Sequence, residues 1–504
     1  MKKFSRILTS RQFVLTLMFL LNISFFALSI IFINAYVYWI ISLVALIAMS
    51  FALNAHNENP EKKAIWALLI ILVPFFALSL FLYSKSSRGT ITERKRALKI
   101  SYKSSQLLVE NRDTRNAFEN AEPDFKRISR YLYNTALMPI NTNTEVKHFI
   151  SGTAYINSVL AAMDGARKYI FLEFNRVEEG KVWNEFFRVM REKARLGLEV
   201  ILMYDDKSCE KGFKDKRTFL KLVNHKIKAV PFNRVAAFIP SSKYKDNRSM
   251  VVIDGTTAFC GSVNISDNCI NLKEGGDVQK DSGLKLVGDA AWSLTVAFLN
   301  HYQLAAKAPV ELGKYKENIR ATKNKTYVQA FISSPLAGNN SVTRDICSQF
   351  IGLANKNVYI TSPYIVLDDE MRRQMKLAAQ SGVDVRIILS SKGKGRTLSQ
   401  TYYAELIKAG VKVYEYEDGV MNAKMYLADD NCAAVGTMPL DFRKIKNNAE
   451  NGVILYGKEN TAAVVEDFND IFMHSKLITL RDLKKRKIPQ KMLGQILRFF
   501  APLY

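Results

Sequence analysis

The chain has 504 residues, more than the roughly 250–300 residues that one hydrophobic core usually serves, so we expect several folded units. Its 72 Lys and Arg residues against 47 Asp and Glu residues give a formal net charge of +25. This excess favours a partner with many negative charges, either nucleic acid or an anionic lipid surface. The five cysteines show no paired or CxxC spacing, which argues against a disulfide framework and a zinc site, and we expect them in the core.

The N-terminal part carries three apolar runs, over residues 13–34, 37–53 and 64–83. The first and third have the length of about 20 residues that a membrane-spanning helix needs, and the first is too long for a signal peptide. The sequence therefore predicts a multi-pass membrane anchor over residues 1–84, which favours lipid as the anionic partner. Basic clusters flank the anchor on both sides, so by the positive-inside rule we expect the middle run not to cross fully and the rest of the chain to be cytoplasmic.

From about residue 153 onward, two similar series of segments follow one another. Short apolar runs with β-branched and aromatic residues recur at 167–174 and 356–363, at 197–206 and 382–391, and at 227–232 and 411–416. Each run is typical of a buried strand, and helical patterns lie between them. Strands that alternate with helices at this spacing favour α/β units with largely parallel sheets.

A fourth pair of segments shows the closest correspondence. NRSMVVIDGTTAFCGS begins at Asn247, and NAKMYLADDNCAAVGT begins at Asn422. The same 175 positions separate the members of three pairs, which are Asn247 and Asn422, Asp254 and Asp429, and Gly261 and Gly436. One common offset for three anchor residues indicates a tandem duplication. We expect Gly261 and Gly436 to be turn glycines.

These segments divide the chain into five predicted regions. A basic linker over residues 85–145 follows the anchor, and residues 146–320 and 321–480 form the two repeats. The linker's first part is either a juxtamembrane segment on anionic lipid or a solvated one. Residues 481–504 are predicted to form a basic amphipathic C-terminal helix, which could lie in a membrane interface or dock on the protein's own core.

The two segments that begin at Asn247 and Asn422 resemble the signature of the phospholipase D superfamily, which is His-x-Lys-x4-Asp followed by Gly-Ser-x-Asn. The strings around them, the segment ENPEKKAIWALLIILVPFFALSLFLY and the tail from HSKLITLRDL onward, are similar to bacterial cardiolipin synthases. The resemblance implies two tandem phospholipase D-like α/β sandwich repeats behind the transmembrane anchor, with both motifs in one active site. It implies phosphatidyl transfer between two phosphatidylglycerols to give cardiolipin and glycerol, through a phosphohistidine, without a cofactor or a metal.

Both histidine positions of the motif hold asparagine in this chain. The degenerate motifs, at the implied catalytic positions, read Asn247-x-Ser249-x4-Asp254 and Asn422-x-Lys424-x4-Asp429. A carboxamide neither titrates near neutral pH nor offers a nucleophilic lone pair, and losing general acid–base help alone costs about 10²–10⁴ in rate. We therefore expect a pseudoenzyme, inactive or severely impaired, that binds anionic phospholipid. A working cardiolipin synthase with a non-standard nucleophile is the alternative, and a nuclease-like member is disfavoured by the anchor.

The resemblance also assigns roles to the retained residues. Phosphate contact is implied for Lys424, Ser262, Asn264 and Thr437, and support for Asp281 and Glu450, while Asp254 and Asp429 would brace loops or pair with basic groups. The five histidines (His56, His148, His225, His301 and His474) lie outside both motifs, and we expect surface or packing roles for them. The expected partners are anionic phospholipids (phosphatidylglycerol or cardiolipin), the membrane and an active synthase, and not nucleic acid.

Overall fold

The chain divides into two compact units in the computed structural model. The smaller unit comprises residues 1–90, 235–243 and 495–504, and the larger comprises residues 91–234 and 244–494. The structure describes residues 35–54, 60–73, 91–206, 208–209, 216–232, 245–272, 277–319, 325–336, 342–393 and 395–503, together with scattered positions within 17–28 and 76–81.

The smaller unit contains α1 (Ala35–Asn54) and α2 (Pro60–Leu72). Buried Trp66 and Ile70 of α2 pack with Ala77 and Phe81. Among the residues described, no helix combines the length and the apolar character that crossing a membrane requires. The apolar run at 37–53 falls within α1, and the run at 64–83 begins in α2. The run at 13–34 lies almost entirely outside the described residues, so the multi-pass anchor stays a prediction.

The region assigned to a linker is largely helical. It contains α3 (Ile91–Ser105), α4 (Arg112–Ala121) and α5 (Lys126–Ala136). The basic helix α3 packs on the larger unit, because Arg96 donates to the Gln303 carbonyl at 3.2 Å and Ser104 accepts from Asn300 at 2.7 Å. Whether this basic segment also contacts anionic lipid stays a prediction.

The other helices of the larger unit surround or extend its sheet. They are α6 (Gly152–Asp164), α7 (Lys181–Arg195), α8 (Lys216–Asn224), α9 (Asp289–Ala306), α10 (Val342–Leu353), α11 (Asp369–Gln380), α12 (Arg396–Lys408), α13 (Phe442–Asn447), α14 (Lys458–Met473), α15 (Leu480–Lys484) and α16 (Ile488–Phe500), of which α16 ends in the smaller unit.

The strands alternate with these helices along the chain. They are β1 (Asn141–Phe149), β2 (Tyr169–Phe174), β3 (Glu199–Asp205), β4 (Lys228–Phe232), β5 (Ser249–Ile253), β6 (Thr257–Gly261), β7 (Gln279–Lys280), β8 (Gly283–Gly288), β9 (Lys325–Ser333), β10 (Asn357–Ser362), β11 (Asp384–Ser390), β12 (Lys412–Tyr416), β13 (Val420–Met421), β14 (Met425–Ala428), β15 (Cys432–Gly436), β16 (Glu450–Tyr456) and β17 (Ser475–Leu477).

In the described part of the chain, fifteen of these strands form one mixed sheet. The order outward from the central β1–β9 pair is β1-β8-β6-β5-β2-β3-β4 on one side, called here the first half. On the other side, the second half, it is β9-β16-β15-β14-β10-β11-β12-β17. The two remaining strands, β7 and β13, pair with each other in parallel and link the halves.

The sheet differs from the expected one in two respects. Parallel pairing within it is confined to β2-β3-β4 and β10-β11-β12, and the other pairs are antiparallel. The expectation of largely parallel sheets was wrong because the motif strands β5, β6, β14 and β15 are hairpin strands that need no crossover helix. Instead of two separate sandwiches, the halves share a sheet and a core cluster that includes Phe298 of α9 and Phe468 of α14.

Candidate functional site

The first motif begins where β5 meets a segment of the second half. The backbone N–H of Asn247 donates to the Ala449 carbonyl at 2.9 Å, which brings the motif beside Glu450. The Asn247 carboxamide then donates to Glu450 Oε1 at 2.6 Å, and its oxygen accepts from Asn175 at 2.6 Å. A carboxylate only accepts hydrogen bonds, so the amide nitrogen of Asn247 faces Glu450.

The second motif makes the reciprocal contacts. The backbone N–H of Asn422 donates to the Lys280 carbonyl at 2.9 Å, next to the β7–β13 pair. Its carboxamide donates to Asp281 Oδ1 at 2.5 Å and to the Ser262 carbonyl at 3.1 Å. Each motif asparagine therefore donates to an acid supplied by the opposite half.

The same two acids accept the hydroxyls predicted to contact phosphate. Ser262 Oγ donates to Asp281 Oδ1 at 2.8 Å, and Thr437 Oγ1 donates to Glu450 Oε2 at 2.6 Å. Both acids are fully buried. Each half therefore contributes a hydroxyl and an acid to one hydrogen-bonded group with the asparagine of the other half.

Lys424 is the motif lysine beside these two groups, and the charge of Lys444 also acts on Glu450. The Nζ of Lys424 donates to the backbone carbonyl of Asn422 at 2.8 Å and to that residue's side-chain oxygen at 3.2 Å. Part of the side chain reaches solvent, but the surrounding protein removes most of its hydration, which lowers the pKa of Lys424 to about 8 against the opposing effect of Asp281. Burial likewise raises the pKa of Glu450 to about 7, against its hydrogen bonds from Thr437 and Asn247.

Ser249 occupies the position that corresponds to Lys424, and its side chain makes a structural contact. Its hydroxyl is buried and donates to the Val263 carbonyl at 2.6 Å. The carboxamide of Asn451 pairs with the Ser249 backbone, accepting from the N–H at 3.0 Å and donating to the carbonyl at 3.2 Å. The sequence reasoning missed Asn451, although it directly follows Glu450 in the chain.

The two motif aspartates lie at the far ends of the motif strands. Asp254 accepts from the backbone N–H groups of residues 167–169, and Asp429 accepts from those of residues 355–357. Both have positive φ, 51° and 53°. They tie the motif turns to the starts of β2 and β10.

Three further predicted residues are placed as follows. Asn264 accepts from the Arg176 N–H at 3.2 Å and donates to the Ser262 carbonyl at 3.4 Å. Gly261 and Gly436 lie in strands β6 and β15, so the expectation of turn glycines was wrong. A Cβ atom would come within 2.4 Å of the Ser282 carbonyl oxygen at Gly261 and within 2.3 Å of the Asn451 carbonyl oxygen at Gly436. Close strand approach is the physical reason for these glycines.

A buried charge cluster behind the first motif was also missed. His301 Nδ1 lies 2.7 Å from Glu173 Oε1, and its Nε2 lies 3.4 Å from Asp246 Oδ2. Arg248 contacts both carboxylates. A second histidine, His148, lies 2.7 Å from buried Asp467, which also pairs with Lys280. These two histidines thus belong to ion networks, and no sequence spacing indicated that.

Comparisons with known proteins show a family likeness along most of the chain. The family model described as cardiolipin synthase, phospholipase D-like domain, matches residues 347–480. An uncharacterized protein of Streptococcus mutans is 30% identical over 461 residues, which is 89% of this chain and 98% of that protein. Cardiolipin synthase 1 of Bacillus anthracis is 27% identical, with 96% of each chain covered.

A solved structure supports the fold. The crystal structure of phosphatidylserine synthase from Haemophilus influenzae aligns with a TM-score of 0.56 at 15% identity, over 75% of this chain and 98% of that one. The architecture is therefore that of a phospholipase D-like α/β protein. The chain belongs to the cardiolipin synthase family of phospholipase D-like proteins.

Proposed function

We propose that the protein is a membrane-bound member of the cardiolipin synthase family that holds an anionic phospholipid headgroup but transfers phosphatidyl groups poorly or not at all. In this proposal the two halves are tandem repeats, and the anchor is multi-pass with the larger unit in the cytoplasm. The observation that carries it is the pair of amide–carboxylate contacts, Asn247 with Glu450 and Asn422 with Asp281.

The family reaction, as the motif resemblance implies it, needs a nitrogen nucleophile on one motif and a proton donor on the other. An imidazole held by a carboxylate meets both requirements because its second nitrogen faces the substrate. A carboxamide held by the same carboxylate turns its nitrogen toward the acid and presents only a weakly basic oxygen. Neither covalent attack on phosphorus nor protonation of the leaving alcohol is then available.

Phosphate binding beside the two motif asparagines is supported by Lys424 and by the raised pKa of its neighbour Glu450. Burial lowers the pKa of Lys424 to about 8, which still leaves it able to carry a charge at neutral pH, and raises the pKa of Glu450 to about 7, which disfavours the charged form of the acid. Partial neutralisation of the acid reduces its repulsion of an incoming phosphodiester. The proposed ligand is accordingly phosphatidylglycerol or cardiolipin, and an active synthase is the proposed protein partner.

The alternative is a working synthase with a non-standard nucleophile. The favourable observation is Glu450, because a carboxyl group with a pKa near 7 can carry a proton at neutral pH. Against it, both carboxylate oxygens already accept hydrogen bonds, from Asn247 and Thr437. The nearby thiol of Cys269 is no substitute, since burial raises its pKa to about 12.

The direct test uses purified full-length protein with phosphatidylglycerol in mixed micelles. We expect no cardiolipin above the blank, and we expect the variant Asn247→His, Ser249→Lys, Asn422→His to gain turnover. A variant that restores only Ser249→Lys is the matched control, because it adds the charge without the nucleophile. Robust cardiolipin formation by the unaltered protein would refute the proposal and support the alternative.

A further inference from the structure

The C-terminal helix α16 presents an apolar surface to its surroundings. Seven of its thirteen residues are large apolar side chains that are exposed, namely Ile488, Met492, Leu493, Ile496, Leu497, Phe499 and Phe500. In the part that belongs to the larger unit, Ile488 is 71% exposed, Met492 62% and Leu493 52%. Such a concentration exceeds the scattered apolar residues that are normal on a soluble surface.

The opposite side of α16 holds the contact with the rest of the larger unit. Gly494 is the buried residue of the helix, and a Cβ atom there would lie 2.9 Å from Thr401 Cγ2 on α12. At 3.6 residues per turn, Gly494 lies opposite the middle of the arc occupied by the seven apolar residues. The helix therefore contacts the larger unit through the face that carries Gly494, and the apolar arc faces away from that contact.

The charges around the arc have one sign. Six basic residues occupy positions 481–491, namely Arg481, Lys484, Lys485, Arg486, Lys487 and Lys491, and no Asp or Glu follows Asp482. An apolar arc bordered by lysine and arginine is typical of helices that lie in the interface of anionic membranes. An acidic protein partner would complement the charges, but it would not account for so wide an unbroken apolar arc.

We propose that α16 lies in the interface of a bilayer that contains anionic lipid, with the arc from Ile488 through Met492 to Phe499 among the acyl chains and the 481–491 cluster at the headgroups. The contact of Gly494 with α12 would then fix the larger unit against the bilayer surface. The proposal does not depend on whether the two motifs bind phosphate.

The test places an environment-sensitive fluorophore on each side of the helix. Full-length Met492→Cys, labelled with a nitrobenzoxadiazole dye, is compared with Gln490→Cys, which lies outside the arc. The five native cysteines are buried, so the introduced thiol is labelled selectively. Both proteins are reconstituted into vesicles of phosphatidylcholine, with or without phosphatidylglycerol, and with or without lipids that carry a quencher on the acyl chain.

We expect a blue-shifted emission and strong acyl-chain quenching for the Met492 label in the vesicles with phosphatidylglycerol, and a smaller effect for the Gln490 label. Lys484→Gln with Lys485→Gln should weaken the Met492 signal several-fold more than the control pair Lys314→Gln with Lys316→Gln. Water-like emission at Met492, or equal signals with and without phosphatidylglycerol, would overturn the proposal. Blue-shifted emission without lipid quenching would also overturn it, because protein would then cover the arc.

Discussion

The two motifs share a topology but differ in what surrounds the position two residues after the asparagine. In the second motif that residue is Lys424, partly exposed and close to both acids. In the first it is Ser249, whose side chain is bound to the Val263 carbonyl and whose backbone is clamped by Asn451. The second motif therefore has a basic side chain at this position, whereas the first has a structural contact between the halves.

This difference teaches that two motifs with matching hydrogen-bond partners can differ at the position two residues after the asparagine. The residues that follow Glu450 and Asp281 in the chain show this difference between the motifs most clearly. Asn451, after Glu450, makes two hydrogen bonds to the opposite half, whereas Ser282, after Asp281, has a buried hydroxyl without a partner among the described residues.

The largest predicted effect concerns this pair of residues. Asn451→Ala leaves the Ser249 N–H and carbonyl unpaired in a buried position, and each such group costs about 1–3 kcal/mol, so we expect a loss of roughly 2–5 kcal/mol of unfolding free energy. Ser282→Ala removes a buried hydroxyl that has no partner among the described residues, so stability should stay unchanged or rise by up to about 1 kcal/mol. Chemical denaturation of the full-length protein, followed by tryptophan fluorescence, measures the change in unfolding free energy for both variants. Equal effects of the two substitutions on stability would contradict the difference between the residues that follow the two acids.

The next effect concerns ligand binding. Lys424→Ala should weaken binding of short-chain phosphatidylglycerol, below its micelle concentration, by about ten-fold or more, because a charge-assisted hydrogen bond contributes about 1.5–3 kcal/mol. Ser249→Ala is the matched control in the first motif and should leave the affinity nearly unchanged, since its hydroxyl is bound to Val263. Isothermal titration at pH 7 compares the two. An unchanged affinity in Lys424→Ala would show that Lys424 does not contact the phosphate and that the second motif, like the first, has only a structural role.

The smallest effect is a pH dependence of the same binding. As the pH falls from 9 to 6, protons bind first to Lys424, with a pKa near 8, and then to Glu450, with a pKa near 7. The surroundings of the two motif asparagines therefore become more positive. The phosphodiester stays singly charged over this range, and affinity should therefore rise several-fold toward pH 6. Glu450→Gln should reduce the rise and move what remains of it to lower pH, because the charge on Glu450 raises the pKa of Lys424. An affinity that falls as the pH is lowered contradicts these assignments.

The sequence predicted the residues of the site better than the contacts among them. The common offset of the motifs, and the resemblance that followed, singled out Asn247, Asn422 and Lys424 and the two supporting acids. The cross-half contacts themselves, such as Asn247 with Glu450, join residues 203 positions apart. No local periodicity encodes such a pairing, and the clamp by Asn451 and the cluster around His301 were missed for that reason.

For the fold as well, local elements were predicted from the sequence, but the contacts between distant elements were not. Buried strands such as β2 and β10 were predicted because continuous apolar runs mark them. The single mixed sheet was not predicted, because it depends on the β1–β9 junction, where Asn141 pairs with Val328. The two segments share the pattern Val-x-x-Phe-Ile-Ser, at residues 146–151 and 328–333, but a local likeness does not indicate that two strands pair with each other.

The most direct test of the central claim is lipid analysis of a bacterial strain that lacks every cardiolipin synthase and expresses this chain. Expression of the Bacillus anthracis cardiolipin synthase 1, to which this chain is similar, provides the positive control, and immunoblotting confirms equal amounts of protein in the membrane fraction. The account predicts cardiolipin at the level of the empty vector. Cardiolipin clearly above that level would contradict it, because the two asparagines would then not have ended phosphatidyl transfer.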